Sequence, residues 1–231
     1  TTSGFSIVTW TGSGADATVG HGLNSAPTLI IVKNRTDNST DWRVGQVLTS
    51  SNNMTNGNGY YLELNDTKAS TNPGSANQWG STPTAPTNQV FTVGSNNSNN
   101  GSSDNMIAYC FHSVKGYSKF GSYTGNGNSD GTFVYTGFKP AWVICKRSSG
   151  TGNWQMFDSK REGYNVDNDG LQANLSNAEA TDDDLDILSN GFKLRGSGND
   201  LNGSGSTYIY MAFAEEPLVA NVGLSIPATA R

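Results

Sequence analysis

The sequence predicts an all-β chain, built as two tandem, repeat-related antiparallel β-sandwiches of the jelly-roll or lectin-like kind. Three observations predict it: a turn-rich composition, short apolar segments that either alternate or run on briefly, and a second half that restates the first in the same block order. Of 231 residues, 34% are hydrophobic and 14% charged, so Asn, Ser, Thr and 28 Gly supply the polarity. Asn and Gly tolerate left-handed backbone, and Ser and Thr bond locally to it. Such a chain suits short strands joined by turns and disfavours long helices.

The repeat begins with Trp10-Thr11-Gly12-Ser13-Gly14 over Tyr123-Thr124-Gly125-Asn126-Gly127. Thr124 lies 113 positions after Thr11, and Pro140 lies 113 after Pro27 at the head of two matching apolar runs. Trp42 then meets Trp154, Leu64-Asn65-Asp66-Thr67-Lys68-Ala69 meets Leu175-Ser176-Asn177-Ala178-Glu179-Ala180, and Phe91-Thr92-Val93-Gly94 meets Phe192-Lys193-Leu194-Arg195. Each copy closes with a Gly/Asn/Ser loop, 94–104 or 196–206, leading into Met106-Ile107-Ala108-Tyr109-Cys110-Phe111 or Tyr208-Ile209-Tyr210-Met211-Ala212-Phe213. Several blocks in one order with slowly drifting offsets indicate duplication of a domain-sized unit, not a solenoid coil. The expected divisions are 1–115 and 116–218, followed by an extended or disordered tail at 219–231.

Within each copy, Thr28 to Val32 and Ala141 to Cys145 are continuous apolar runs, the pattern of strands covered on both faces. Phe5/Ile7/Thr9, Phe91/Val93 and Tyr208/Tyr210/Ala212 alternate instead, and Gly57-Asn58-Gly59, Gly125-Asn126-Gly127 and Ser189-Asn190-Gly191 mark turns. The polar stretches 65–88 and 95–104 read as long loops. A short helix is expected around Asn177 to Leu188, where Asp182-Asp183-Asp184 favours a helix start.

Charge and cysteine usage exclude several function classes. The net charge of -5 comes without a Lys/Arg cluster, so counterion release from nucleic acid has no basic face to drive it. No run approaches the roughly 20 apolar residues of a membrane-spanning helix, and no signal peptide precedes Thr1. The first residue is not Met, as expected of a fragment or a processed piece. Cys110 and Cys145 sit in apolar runs without CxxC or metal-spaced His and read as buried thiols.

Catalytic constellations are hard to assemble from these residues. A glycosidase needs two carboxylates about 5 to 9.5 Å apart across one cleft. The i, i+2 acidic pairs Asp167/Asp169, Asp182/Asp184 and Asp184/Asp186 lie in turn-like stretches, and Glu63 and Glu162 have no acidic partner two positions away. The two histidines, His21 and His112, stand apart from any Gly-x-Ser-x-Gly elbow. No catalytic residue is therefore expected. The clustered hard oxygens of Asp167, Asp169, Asp182 and Asp184 suit calcium, although neither stretch follows the twelve-residue EF-hand pattern.

Among the tryptophans, Trp42 and Trp154 are repeat-equivalent and Trp142 sits in a buried run, so all three read as core. Trp79 differs, because its polar loop Ser75-Ala76-Asn77-Gln78-Trp79-Gly80 has no counterpart in the second copy. An aromatic placed there either packs or binds, which makes Trp79, Asn77 and Gln78 the ligand-contact candidates.

Tyr123 to Gly127, Gly137 to Arg147, Asn190 to Leu194 and Tyr208 to Pro217 together resemble a repeat found in tail-fibre and other virion proteins of tailed phages, especially marine ones. The first copy departs from that pattern at Phe111-His112-Ser113-Val114, where the closing Ala-Glu-x-Pro is missing. The resemblance implies a virion location and no catalytic residues. The expected function is a tail-fibre or spike module that attaches to a host-surface glycan or envelope protein beside other virion proteins; weak, repeated contact made strong by multivalency implies a homo-oligomer, a trimer on a fibre. A purely structural head-decoration or shaft module is its rival, and a polysaccharide-cleaving enzyme a distant third.

Overall fold

The computed structural model describes residues 3–161, 169–181 and 184–215. The first copy contributes β1 (Phe5–Thr11), β2 (Ala17–Gly20), β3 (Leu29–Asn34), β4 (Arg43–Gln46), β5 (Leu62–Glu63), β6 (Val90–Val93), the single helical turn α1 (Asn97–Asn100) and β7 (Asn105–Phe111). The second contributes β8 (Ser118–Thr124), β9 (Phe133–Tyr135), β10 (Pro140–Arg147), β11 (Trp154–Asp158), β12 (Leu171–Gln172), β13 (Leu185–Leu188), β14 (Gly191–Leu194) and β15 (Thr207–Ala214). The chain is all-β, with every strand pairing antiparallel.

The duplication is visible in the topology. One five-stranded sheet runs β1-β7-β3-β4-β5 and the other β8-β15-β10-β11-β12, the same order strand for strand. Each has a small companion sheet, β2-β6 in the first copy and β9-β14-β13 in the second. Register agrees as well: Ile30 pairs with Cys110 as Val143 pairs with Ala212, and Trp10 pairs with Met106 as Tyr123 pairs with Tyr208.

Three hydrophobic cores separate these sheets. Ile30, Val32, Trp79, Phe91, Ala108 and Cys110 fill the space between the first large sheet and β2-β6. Val143, Cys145, Phe157, Leu185, Phe192 and Tyr210 do so beside β9-β14-β13. The third core draws on both copies, with Leu29, Val44 and Leu62 meeting Phe120, Ile144, Trp154, Ile209 and Met211. The large sheets therefore lie face to face, and β3 and β10 divide their side chains between an outer core and the shared one. Those two strands are the continuous apolar runs of the sequence, and burial on both faces is why they do not alternate. Hydrogen bonds reinforce the seam: the Trp154 side chain donates through Nε1 to the Glu63 carbonyl at 2.8 Å, and backbone bonds run from Ser70 N to Ser148 O and from Gly152 N to Thr67 O, both at 2.9 Å.

Two expectations are corrected. No helix forms among the described residues of 177–188; Leu185 and Ile187 enter the second outer core, and Leu185 to Leu188 pair residue for residue with β14, which makes β13 a strand. The one helical turn is α1, where the Asn96 side chain accepts from Ser98 N at 2.9 Å. The match of Leu64 with Leu175 is also displaced. Trp42 N donates to Asn65 Oδ1 at 2.9 Å and Trp154 N to Asn174 Oδ1 at 2.8 Å, so Asn65 and Asn174 are the equivalent pair. Both cysteines are free and buried, one in each outer core, with their thiols pushed up to about 12 by burial.

Candidate functional site

The most distinctive motif of the repeat serves the fold. In each copy Thr-Gly-x-Gly follows the first strand and is clamped by a buried asparagine before the last. Asn100 Nδ2 donates to Ala15 O at 2.6 Å and Gly94 O at 3.0 Å, while its Oδ1 accepts from Ser13 N at 3.1 Å. Asn202 does the same, with Asn128 O at 2.8 Å, Gly196 O at 2.9 Å and Asn126 N at 2.9 Å. The first glycine is required by close approach, since a methyl group on Gly12 or Gly125 would meet the Gly101 or Gly203 carbonyl at 1.9 or 2.4 Å. The second is required by its positive φ, +65° at Gly14 and +68° at Gly127. The asparagine amides are thus spent on the chain's own loops.

The loop of Asn77, Gln78 and Trp79 turns its aromatic inward. Trp79 is 0% exposed, its Nε1 donates to Tyr60 O at 3.1 Å, and its ring lies on Gly45, where a methyl group would sit 2.6 Å away. Gln78 is buried and Asn77 half-buried, and their carbonyls accept from Gly94 N at 2.9 Å and Asn96 N at 3.2 Å. The loop folds back as a lid over the first outer core. Of the two alternatives the sequence leaves for an aromatic there, packing is the one realised.

Of the calcium candidates, Asp167 and Asp182 lie outside the described residues. Asp169 leads into Gly170, which bridges to Ala180, whereas the Asp184 carbonyl accepts from Arg195 N at 2.8 Å beside β14. Among the described residues no group of three His, Cys, Asp or Glu gathers at one point. The buried carboxylates there are committed to cations: Glu63 pairs with Arg43 and with Lys68 at 3.0 Å, and Asp186 pairs with Arg195. His21 is buried, with Nδ1 accepting from Leu23 N and Nε2 facing Thr87 O, both at 3.1 Å, and burial holds its pKa below the usual histidine range.

The outer sheets tell the two copies apart. On β9, Val134 points into the core as Val19 does on β2, so Phe133 and Tyr135 occupy the outward positions held by Thr18 and Gly20 in the first copy. Phe133 is 45% and Tyr135 63% exposed. Gly191 opposes Tyr135 on the neighbouring strand, and a methyl group there would stand 3.2 Å from the Phe133 ring. Lys193, opposite Phe133, pairs with Asp130 at 2.5 Å, and Arg195 on the same strand pairs with Asp186. The corresponding region of the first copy is polar instead, a recess of about 370 Å³ lined by Asp16, Thr18, Ser81, Thr82 and Thr92. Asp16 accepts there from Ser81 N at 2.7 Å and from its hydroxyl, and these bonds hold the carboxyl below the usual range.

Large apolar side chains facing water are costly, and two at adjacent outward positions form a contact platform. Sequence reasoning passed over this pair. The signal was present in the alternation Phe133-Val134-Tyr135, once its inward Val134 is laid over Val19.

Among solved structures, the major capsid protein P2 from bacteriophage PM2 is similar at 10% identity over 92% of this chain and 99% of that one, with a TM-score of 0.24. So loose a likeness carries no argument about fold or role. No curated protein matches. A family model described as a domain of unknown function, DUF7483, matches residues 1–217, both copies as one unit. The chain belongs to the DUF7483 family.

Proposed function

We propose that the chain is a non-enzymatic module of a phage virion, carried on a tail fibre or spike, that attaches to a host-surface glycan. Its resemblance to tail-fibre repeats supports the virion location. The observation that carries attachment is the exposed pair Phe133 and Tyr135, because flat rings offered to solvent suit the apolar face of a sugar ring. Each contact is weak. A homo-oligomer, a trimer on a fibre, makes such contacts strong by raising effective concentration.

Glycan-array and whole-cell binding by the native oligomer, with and without EDTA, tests the reading. Saturable binding supports it, and loss in EDTA adds calcium as a cofactor. Absence of binding to any host cell or glycan, from folded oligomer, moves the assignment to a head-decoration or shaft module that contacts other virion proteins. Ile7, 54% exposed on the edge strand β1, favours that second reading, since an open strand edge with an apolar flank suits a protein neighbour.

A further inference from the structure

A cavity of about 300 Å³ lies between the two large sheets. Both copies wall it, among others Val44, Leu64 and Phe111 from the first and Trp142, Trp154 and Met156 from the second. Among the described residues every lining side chain is apolar, and none of their polar atoms faces the space. Ala173 is the one exposed residue of the lining, and half-buried residues of both copies, Ile31, Leu64 and Phe111 from the first and Trp142, Met156 and Phe213 from the second, also reach the surface.

Protein interiors are packed as densely as organic crystals, and wall atoms facing a gap lose their dispersion partners. Apolar cavities stay dry and accept apolar guests. This cavity holds roughly ten methylene-sized groups, each taken at about the 30 Å³ share of one liquid water. A peptide strand is a poor occupant, because its N–H and C=O groups would find no partner on a hydrocarbon wall. An unbranched alkyl chain has no such groups to satisfy.

We propose that the seam between the two copies is a binding site for a single free alkyl chain of medium length, entering beside Ala173. The site is independent of the glycan reading and stands or falls separately. Trp142 and Trp154 report on it directly. Titration of the full chain with ω-bromoundecanoic acid, whose bromine quenches indole at contact, is expected to quench saturably at one equivalent, while bromoacetate does not. Ala173→Trp closes the mouth from an exposed position and is expected to weaken binding by about tenfold or more, with the unfolding midpoint retained. Ile7→Ala, outside the cavity, leaves it unchanged.

Non-saturable quenching, or saturable quenching that Ala173→Trp does not weaken in a folded protein, overturns the site. Quenching by vesicles of brominated phosphatidylcholine without quenching by the free acid also overturns it, in favour of a membrane surface. Because neither probe is a sugar, failure here leaves the glycan result untouched.

Discussion

The two copies share a scaffold and differ in what they bury and what they show. At one cross-strand position the first copy pairs Arg43 with Glu63, buried together, with the guanidinium 4.3 Å over the Tyr61 ring. The second copy pairs Gln155 with Gln172 at the same place. On the outer sheets the difference runs the other way, Thr18 and Gly20 in the first against Phe133 and Tyr135 in the second. The fold tolerates either choice at both positions. What it holds constant is the asparagine clamp, the strand order and the seam, so divergence at the outer faces is where a role that distinguishes the copies is to be sought.

The largest expected effect breaks the seam. Trp154→Ala removes a buried indole and its bond to the Glu63 carbonyl, and is expected to cost about 3–5 kcal/mol in chemical denaturation. Its repeat partner Trp42 is half-buried, so Trp42→Ala is expected to cost less. Next comes the buried ion pair. Glu63→Gln leaves Arg43 without its buried partner and is expected to cost about 3 kcal/mol, whereas Arg43→Gln with Glu63→Gln, which rebuilds the pairing of the second copy, recovers most of the loss. A double variant no more stable than the single would show that the copies are not interchangeable there.

Lys146 and Lys33 sharpen the comparison through pH. They are equivalent on β10 and β3, but Lys146 is 0% exposed and reaches across the seam to Thr67 O at 3.1 Å, while Lys33 is half-buried and bonds Thr40 of its own copy. Burial lowers the Lys146 pKa from 10.5 to about 8. Below pH 8 the amine is protonated folded and unfolded, and the burial penalty is fully present. Between about 8 and 10.5 the unfolded chain binds the extra proton, so stability rises with pH. Lys146→Met is expected to flatten that rise in denaturation curves taken across this window. The smallest stability effect belongs to Phe133→Ala with Tyr135→Ala, within about 0.5 kcal/mol because neither ring supports a core.

Much of the fold was legible because burial leaves a mark on the chain. Continuous runs at 28–32 and 141–145 announced strands covered on both faces, and the Thr-Gly-x-Gly segments and the Gly/Asn/Ser stretches 94–104 and 196–206 announced repeated loops, though not that they clamp each other. The seam was not legible: Leu29 and Ile30 look alike in sequence, yet one faces the shared core and the other an outer core. Trp79 misled for a related reason, since a tryptophan in a polar loop looks exposed until the glycines it rests on, Gly45 and Gly59, are brought beneath it. The aromatic platform was not legible because Phe133 and Tyr135 sit on a strand, where apolar alternation ordinarily marks the buried face. Asp182-Asp183-Asp184 suggested a helix start by local charge, and the tertiary pairing of Leu185 and Ile187 with β14 prevailed.

The most direct test of the account compares outer faces under one assay. Whole-cell binding by the purified chain is measured for Phe133→Ala with Tyr135→Ala and for Thr18→Ala, after both show an unchanged unfolding midpoint. The account predicts that the first variant loses binding and the second retains it. Full binding by the Phe133 and Tyr135 variant would contradict the assignment of the second copy's outer sheet as the contact surface.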